Sequence, residues 1–138
     1  MKKPKTVSKA KKEAWKAFSK YIRLRDCLKT KKSPYEGRCI TCHKVFPTSE
    51  LQAGHFIAGR NNSILLHEQL VSAQCRRCNI FLNGNLIEYY PVMLRKYGKK
   101  KIDEWKKLSN QSVQYKVVDW EDKKGYYESE YAKLLKKY

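Results

Sequence analysis

From Ala14 onward, apolar residues recur at steps of three and four. Ala14, Trp15, Phe18, Tyr21, Ile22 and Leu28 follow one another with lysines and arginines between them. That spacing predicts an amphipathic helix over about residues 13–29, ended by the break at 29–37 that holds Pro34 and Gly37. Residues 1–12 carry six lysines and one proline without periodicity and read as a flexible basic arm. Over 38–74 the pattern changes to short apolar pieces (Val45-Phe46, Leu51 to Ile57, Ile64 to Leu66, Leu70-Val71) separated by Pro47, Gly54, Gly59 and Asn61-Asn62. Such spacing predicts hairpins and loops. A short helix over 76–82 is expected to break at Asn83-Gly84-Asn85. Helical spacing then resumes over 86–97, with Pro91 in its first turn or at a kink. Gly98 reads as a cap, and helices are predicted over about 100–108 and 119–138, the last with Tyr127, Tyr131, Leu134 and Leu135 on one face.

A chain of 138 residues is the size of one domain. Residues 13–138 are read as a single unit: helix and linker over 13–37, a central module over 38–90 and helices over 91–138. Leu, Ile, Val and Phe make up little more than a fifth of the chain, close to the level below which highly charged sequences stay disordered. Lys and Arg outnumber Asp and Glu by 31 to 13, a formal +18. Self-repulsion on that scale calls for a staple or a polyanionic partner. No apolar run approaches a membrane span and no apolar segment follows the N-terminal lysines, so an intracellular location without membrane association is expected.

In a reducing compartment, cysteines are metal ligands more often than disulfides. Cys39-Ile-Thr-Cys42 and Cys75-Arg-Arg-Cys78 are two C-x2-C knuckles, together the four-thiolate set that structural zinc prefers. The 32 residues between Cys42 and Cys75 exceed the roughly 15–20 of an ordinary zinc ribbon. The zinc is therefore expected to close the base of an inserted module that carries the function. Cys39 to His43 also fits the C-x-x-C-H site of c-type haem, a reading that leaves Cys75 and Cys78 unexplained. Cys27 is the odd thiol and reads as a small buried hydrophobe.

His55 lies inside the insertion, in Ala53-Gly54-His55-Phe56-Ile57, and Asn79 follows the last knuckle cysteine. A C-x2-C, a histidine on a strand, then C-x2-C-N opening a helix resembles the ββα-metal, or HNH, endonuclease arrangement. Trp15-Lys-Ala-Phe18, Tyr21-Ile-Arg-Leu-Arg-Asp26, Leu51 to Ile57, Ala73-Gln-Cys-Arg-Arg-Cys-Asn79 and Leu82-Asn-Gly-Asn85 with Glu88-Tyr89 resemble the NinG (Rap) proteins of lambdoid phages. The resemblance covers about residues 13–108. It implies an α+β fold in which a small zinc-stapled ββα-metal module is flanked by an N-terminal helix and C-terminal helices. It also implies structure-selective cleavage of branched recombination intermediates such as Holliday junctions and D-loops, by a phage or prophage protein acting in the bacterial cytoplasm.

On that reading His55 is the general base that takes a proton from the attacking water, and a divalent Mg²⁺ or Mn²⁺ stabilises the phosphorane and the leaving oxygen. By resemblance, Asn79 takes the ligand role of the last HNH letter, offering that cation its amide oxygen. Two positions depart from the HNH pattern: Gly54 stands where a ligand usually precedes the base, and Leu70 where an asparagine braces the loop. Another ligand is then needed from His67, Glu68, Asn85 or Glu88, with His67 and then Glu88 preferred. Without one, the alternative is a zinc-stapled module that binds branched DNA but does not cut it.

Arg60, Arg76 and Arg77 flank the expected site and are the candidate phosphate contacts, whereas Lys99-Lys100-Lys101 and Lys136-Lys137 read equally well as solvated faces. No base-reading element is recognisable, so DNA is expected to be recognised by shape. Symmetric cutting favours a homodimer through the outer helices. Trp105, Tyr115, Trp120, Tyr126, Tyr127 and Tyr131 are candidates for that interface or, equally, for core packing.

Overall fold

The computed structural model describes residues 3–59 and 61–138. Helix α1 (Val7–Lys31) begins earlier than the apolar spacing predicts. The Thr6 hydroxyl caps it, accepting from the Lys9 amide at 3.2 Å, and Ala10 and Ala14 pack with Trp120 and Leu65. Residues 7–12, expected in the basic arm, are therefore helical. Alanine is too weakly apolar to extend a hydrophobic stripe by eye, yet it is the best helix former.

Two antiparallel hairpins follow. Strands β1 (Glu36–Arg38) and β2 (Val45–Pro47) pair with Gly37 opposite Phe46, and the loop between them holds Cys39 and Cys42. Strands β3 (Leu51–His55) and β4 (Val71–Cys75) pair with Leu51 opposite Cys75 and His55 opposite Val71. The inserted residues between them include the single turn α2 (Asn62–Leu65). The short helix expected over 76–82 is a π-helical turn over Arg77–Phe81. Helices α3 (Leu86–Tyr97), α4 (Lys99–Ser109) and α5 (Val117–Lys137) complete an α+β fold. Pro91 lies well inside α3 rather than in its first turn. The amide it lacks would have bonded the carbonyl of Ile87, an exposed residue, where solvent can replace it.

Alternation along β3 and β4 divides the second hairpin into an apolar and a polar face. Ala53 and Val71 pack on Phe18 and Ile22 of α1, and Leu51 and Ala73 pack on the buried Cys27. Gln52, Gly54, Ser72 and Gln74 form the other face. The outer edge of β4 is covered rather than left open: the Ala73 amide donates to Asp26 at 2.7 Å and its carbonyl accepts from the Ile40 amide. Arg25 donates to the carbonyls of Glu68 and Val71 at 2.7 and 2.9 Å while pairing with Asp26 at 2.8 Å. The Arg25-Asp26 dipeptide thus ties α1 to the strand.

A second core joins Phe56, Ile64 and Leu70 to Tyr89, Met93, Ile102 and Trp105. Leu70, fully buried, belongs to that core, and the loop it sits in is braced by main chain: the Phe56 amide bonds its carbonyl at 2.8 Å. Trp105, Trp120 and Tyr127 are likewise buried within the chain, whereas Tyr126 is half exposed. Only Tyr127 of the apolar face expected on α5 is buried.

Candidate active-site cleft and metal centre

The four knuckle thiolates converge: Sγ of Cys39, Cys42, Cys75 and Cys78 all lie within 4.8 Å of one another. A tetrahedral zinc with Zn–S bonds of ~2.3 Å sets its sulfurs about 3.8 Å apart by the same geometry, and Cys42 and Cys75 stand at 3.9 Å. Each knuckle repeats one local bond, from the Cys42 amide to Cys39 Sγ and from the Cys78 amide to Cys75 Sγ, both at 3.5 Å. Thr41 Oγ1 lies 3.2 Å from Cys39 Sγ, and Asn85 Nδ2 donates to Cys78 Sγ at 3.5 Å. Against the effect of burial, the Cys42 amide and the Thr41 hydroxyl draw the Cys39 thiol below its usual range, which favours the thiolate a metal needs. Convergence of all four sulfurs leaves no separate Cys39–Cys42 pair for haem, and the donor set fits a structural zinc.

Beside this centre runs a cleft of about 420 Å³. β3 supplies Leu51, Gln52, Ala53 and His55, the π-helical turn supplies Asn79, and α1 supplies Trp15, Ser19 and Arg23. The structure therefore brings the two sequence-predicted site residues, His55 and Asn79, into one cavity. The His55 ring stacks on Trp15 with centroids 5.0 Å apart and planes 19° apart, and its Nε2 is 3.1 Å from the carbonyl oxygen of Leu65. A carbonyl can only accept, so Nε2 donates, and in the neutral ring the lone pair is then on Nδ1. Asn79 Nδ2 donates to Gln52 Oε1 at 2.8 Å, which fixes the amide so that Oδ1 is its acceptor.

Gln52 also lines an adjoining hollow of about 360 Å³ with Arg76, Arg77, Ser49 and Glu50. The groove thus continues from His55 toward the two exposed arginines of the second knuckle. Arg60 lies outside the described residues.

Gly54 has a steric explanation. A Cβ there would fall 1.8 Å from Gln74 Oε1, so the buried Gln74 amide occupies the space a side chain at 54 would need. Gln74 Nε2 donates to Thr41 Oγ1 at 3.1 Å and to the Gly84 carbonyl at 2.9 Å. One amide therefore joins the metal loop, the β3–β4 hairpin and the turn after the second knuckle.

The other candidate ligands lie elsewhere. His67 meets Trp105 edge-on at 5.8 Å, and burial with the nearby Lys101 charge lowers its pKa. Glu88 is exposed in the first turn of α3. The Glu68 carboxylate accepts from Tyr21 at 3.2 Å and Tyr127 at 3.4 Å, and burial with that charge pushes the Tyr21 phenol up to about 12. Asn85 turns to the sulfur. No carboxylate is among the described residues of the cleft wall.

Sequence reasoning missed Arg23, Ser19 and Gln52. The signal was the i, i+4, i+8 line Trp15–Ser19–Arg23 on α1, which places one aromatic, one hydroxyl and one cation on a single face. Arg23 Nε donates back to the Ser19 carbonyl at 3.3 Å, which holds the guanidinium along the cleft wall.

Fold and site together define an α+β protein with a four-cysteine cluster that could hold a metal, beside a histidine–asparagine cleft. The chain belongs to the NinG family: residues 1–137 match the family described as bacteriophage lambda NinG protein. Comparison with curated proteins and with solved structures found no match. Membership of the family points to a phage recombination-related role. No helix among the described residues is long and apolar enough to cross a membrane.

Proposed function

We propose that the protein is a structure-selective DNA endonuclease of the HNH, ββα-metal type that hydrolyses phosphodiesters in branched recombination intermediates, Holliday junctions and D-loops among them, in the bacterial cytoplasm. The observation that carries this reading is the shared cleft of His55, Asn79 and Arg23 beside a metal-stapled hairpin. His55 Nδ1 takes the proton of a water aligned with the scissile phosphate, while the Leu65 carbonyl and the Trp15 indole fix the ring. Arg23 faces the phosphoryl oxygens and offsets the charge that grows on them. Arg76 and Arg77 hold the flanking backbone, and the excess of 18 positive charges supplies sequence-independent attraction.

The Mg²⁺ or Mn²⁺ implied by the resemblance is poorly provided for. The described cleft wall offers the amide oxygens of Gln52 and Asn79 beside a guanidinium and no carboxylate, where a hard cation takes carboxylates. His67 and Glu88 do not line the cleft. This poverty of ligands, with Gly54 filled by Gln74, favours the second reading of a zinc-stapled module that binds branched DNA without cutting it.

A labelled four-way junction and a matched linear duplex, incubated with Mg²⁺, with Mn²⁺ or with no added divalent ion, separate the two readings. The nuclease reading expects junction cleavage by the wild type, lost in His55→Ala while binding persists. Binding without cleavage under every condition would establish the binding module instead.

A further inference from the structure

Six large apolar side chains stand out on the turn and helix that follow Asn79. Phe81 is 69 % exposed and Ile87 85 %, and Leu82, Leu86, Tyr90 and Leu94 are between 36 % and 47 % exposed. Leu86, Tyr90 and Leu94 recur every four residues along one stripe of α3. Phe81 and Leu82 lie on the turn that leads into it. Exposed apolar groups in this number, on a chain with a thin core, mark an interaction surface rather than leftover packing.

The turn holds them rigidly outward. Asn83, Gly84 and Asn85 all have positive φ (49°, 91° and 50°), a left-handed run that asparagine and glycine tolerate best. The Gly84 amide bonds the carbonyls of Cys78 and Asn79 at 2.9 and 3.1 Å, the Leu82 amide bonds that of Arg77 at 2.8 Å, and the Asn85 amide bonds that of Leu82 at 2.8 Å. The ridge is therefore anchored to the second metal knuckle and to the cleft residue Asn79.

We infer that this ridge receives unstacked nucleobases at a DNA branch point, with Phe81 stacking on a base face. The inference deepens the proposed function and rests on its DNA substrate. Charge selects the occupant. A second copy would bring +18 against +18, whereas a nucleic acid brings the opposite sign. The Arg76 guanidinium lies 5.8 Å from the Phe81 ring centroid, and Arg77, Arg95 and Lys96 adjoin the ridge in sequence, against the single carboxylate of Glu88. Cations interleaved with aromatic faces are how proteins hold single-stranded bases, and an apolar wedge is how they part a stack. Intact duplex hides its base faces inside the stack and a branch point exposes them, so the ridge makes the protein prefer branched over linear DNA.

The test is the dissociation constant of full-length, zinc-loaded wild type, Phe81→Ala and Ile87→Ala for a labelled four-way junction and for a matched linear duplex, without added divalent cation. Melting curves and sedimentation are recorded at the same concentrations. Each variant is expected to melt as the wild type does and to lose about ten-fold in junction affinity, while duplex affinity stays within about two-fold. Equal affinities for wild type and variants on the junction overturn the ridge, as does an equal loss on both DNAs. A wild-type dimer that Ile87→Ala dissociates makes the ridge an interface between copies and overturns it too. Wild type that binds neither DNA fails the proposed function itself, a result distinct from all of these.

Discussion

The imidazole of His55 lies flat against the indole of Trp15, with centroids 5.0 Å apart and planes at 19°. The helix that opens the fold thus orients the histidine on the strand, across 40 residues of sequence. Offset stacking of two rings limits rotation about the histidine χ2 and leaves the Leu65 carbonyl to choose the protonated nitrogen. Trp15→Ala is expected to lower single-turnover junction cleavage by about ten- to a hundred-fold, because a misaligned base loses reactive geometry. Junction affinity should change by no more than about two-fold, and Trp15→Phe should recover much of the rate. A cleavage rate untouched by Trp15→Ala would remove the stack from the mechanism.

In the proposed hydrolysis Arg23 acts on the charge that develops on the phosphoryl oxygens. Arg23→Gln should therefore reduce the cleavage rate by about 10²-fold and leave junction affinity much less affected. Arg23→Lys, which keeps the charge and loses the fork, should fall between the two. Equal losses in rate and affinity would make Arg23 an ordinary phosphate contact.

With four cysteine sulfurs gathered at the base of the hairpins, a bound zinc would be part of the fold. One zinc per chain should be released when the thiols are titrated with a mercurial, and Cys75→Ser should bind less zinc and lose its cooperative melting transition. A melting curve unchanged in Cys75→Ser would show that the cluster does not staple the fold.

Gly54 and Gln74 form a steric pair. Gly54→Ala places a methyl carbon on the Gln74 amide and should cost about 1–3 kcal/mol of stability. Removing the obstruction with Gln74→Ala should recover part of that loss in the double variant, a coupling that urea unfolding of the four proteins reads directly. Strictly additive losses would mean that the two positions do not meet.

His67 sits against Trp105, where burial and the Lys101 charge lower its pKa. The folded protein therefore takes up its proton at lower pH than the unfolded chain does. Its contribution to stability is present above the ordinary histidine pKa of ~6.5 and is lost as pH falls from there through the folded value. Melting temperatures measured from neutral pH into the mildly acidic range should fall less steeply for His67→Phe than for the wild type. Parallel curves would exclude this contribution.

The two knuckles were legible in the chain because a C-x2-C pair converges through its own local turn, and two such pairs make the four-sulfur set that structural zinc prefers. His55 and Asn79 were legible for a related reason: each stands at a short, fixed distance from a knuckle cysteine or within a strand of strong alternation. The first six residues of α1 were not, since Ala10 and Ala14 become a core stripe only when Trp120, more than a hundred residues later, packs over them.

Sequence by itself determined the four-cysteine cluster, the sign and size of the charge, and the identity of the histidine and asparagine beside the hairpin. Tertiary structure alone decided which wall faces them. Arg23 and Ser19 enter the cleft through the angle at which α1 crosses β3, while His67 and Glu88 turn away because Trp105 and solvent take them. Helical period places residues on one face of their own element, but it carries no information about what that face meets, which is set by packing between segments far apart in the chain.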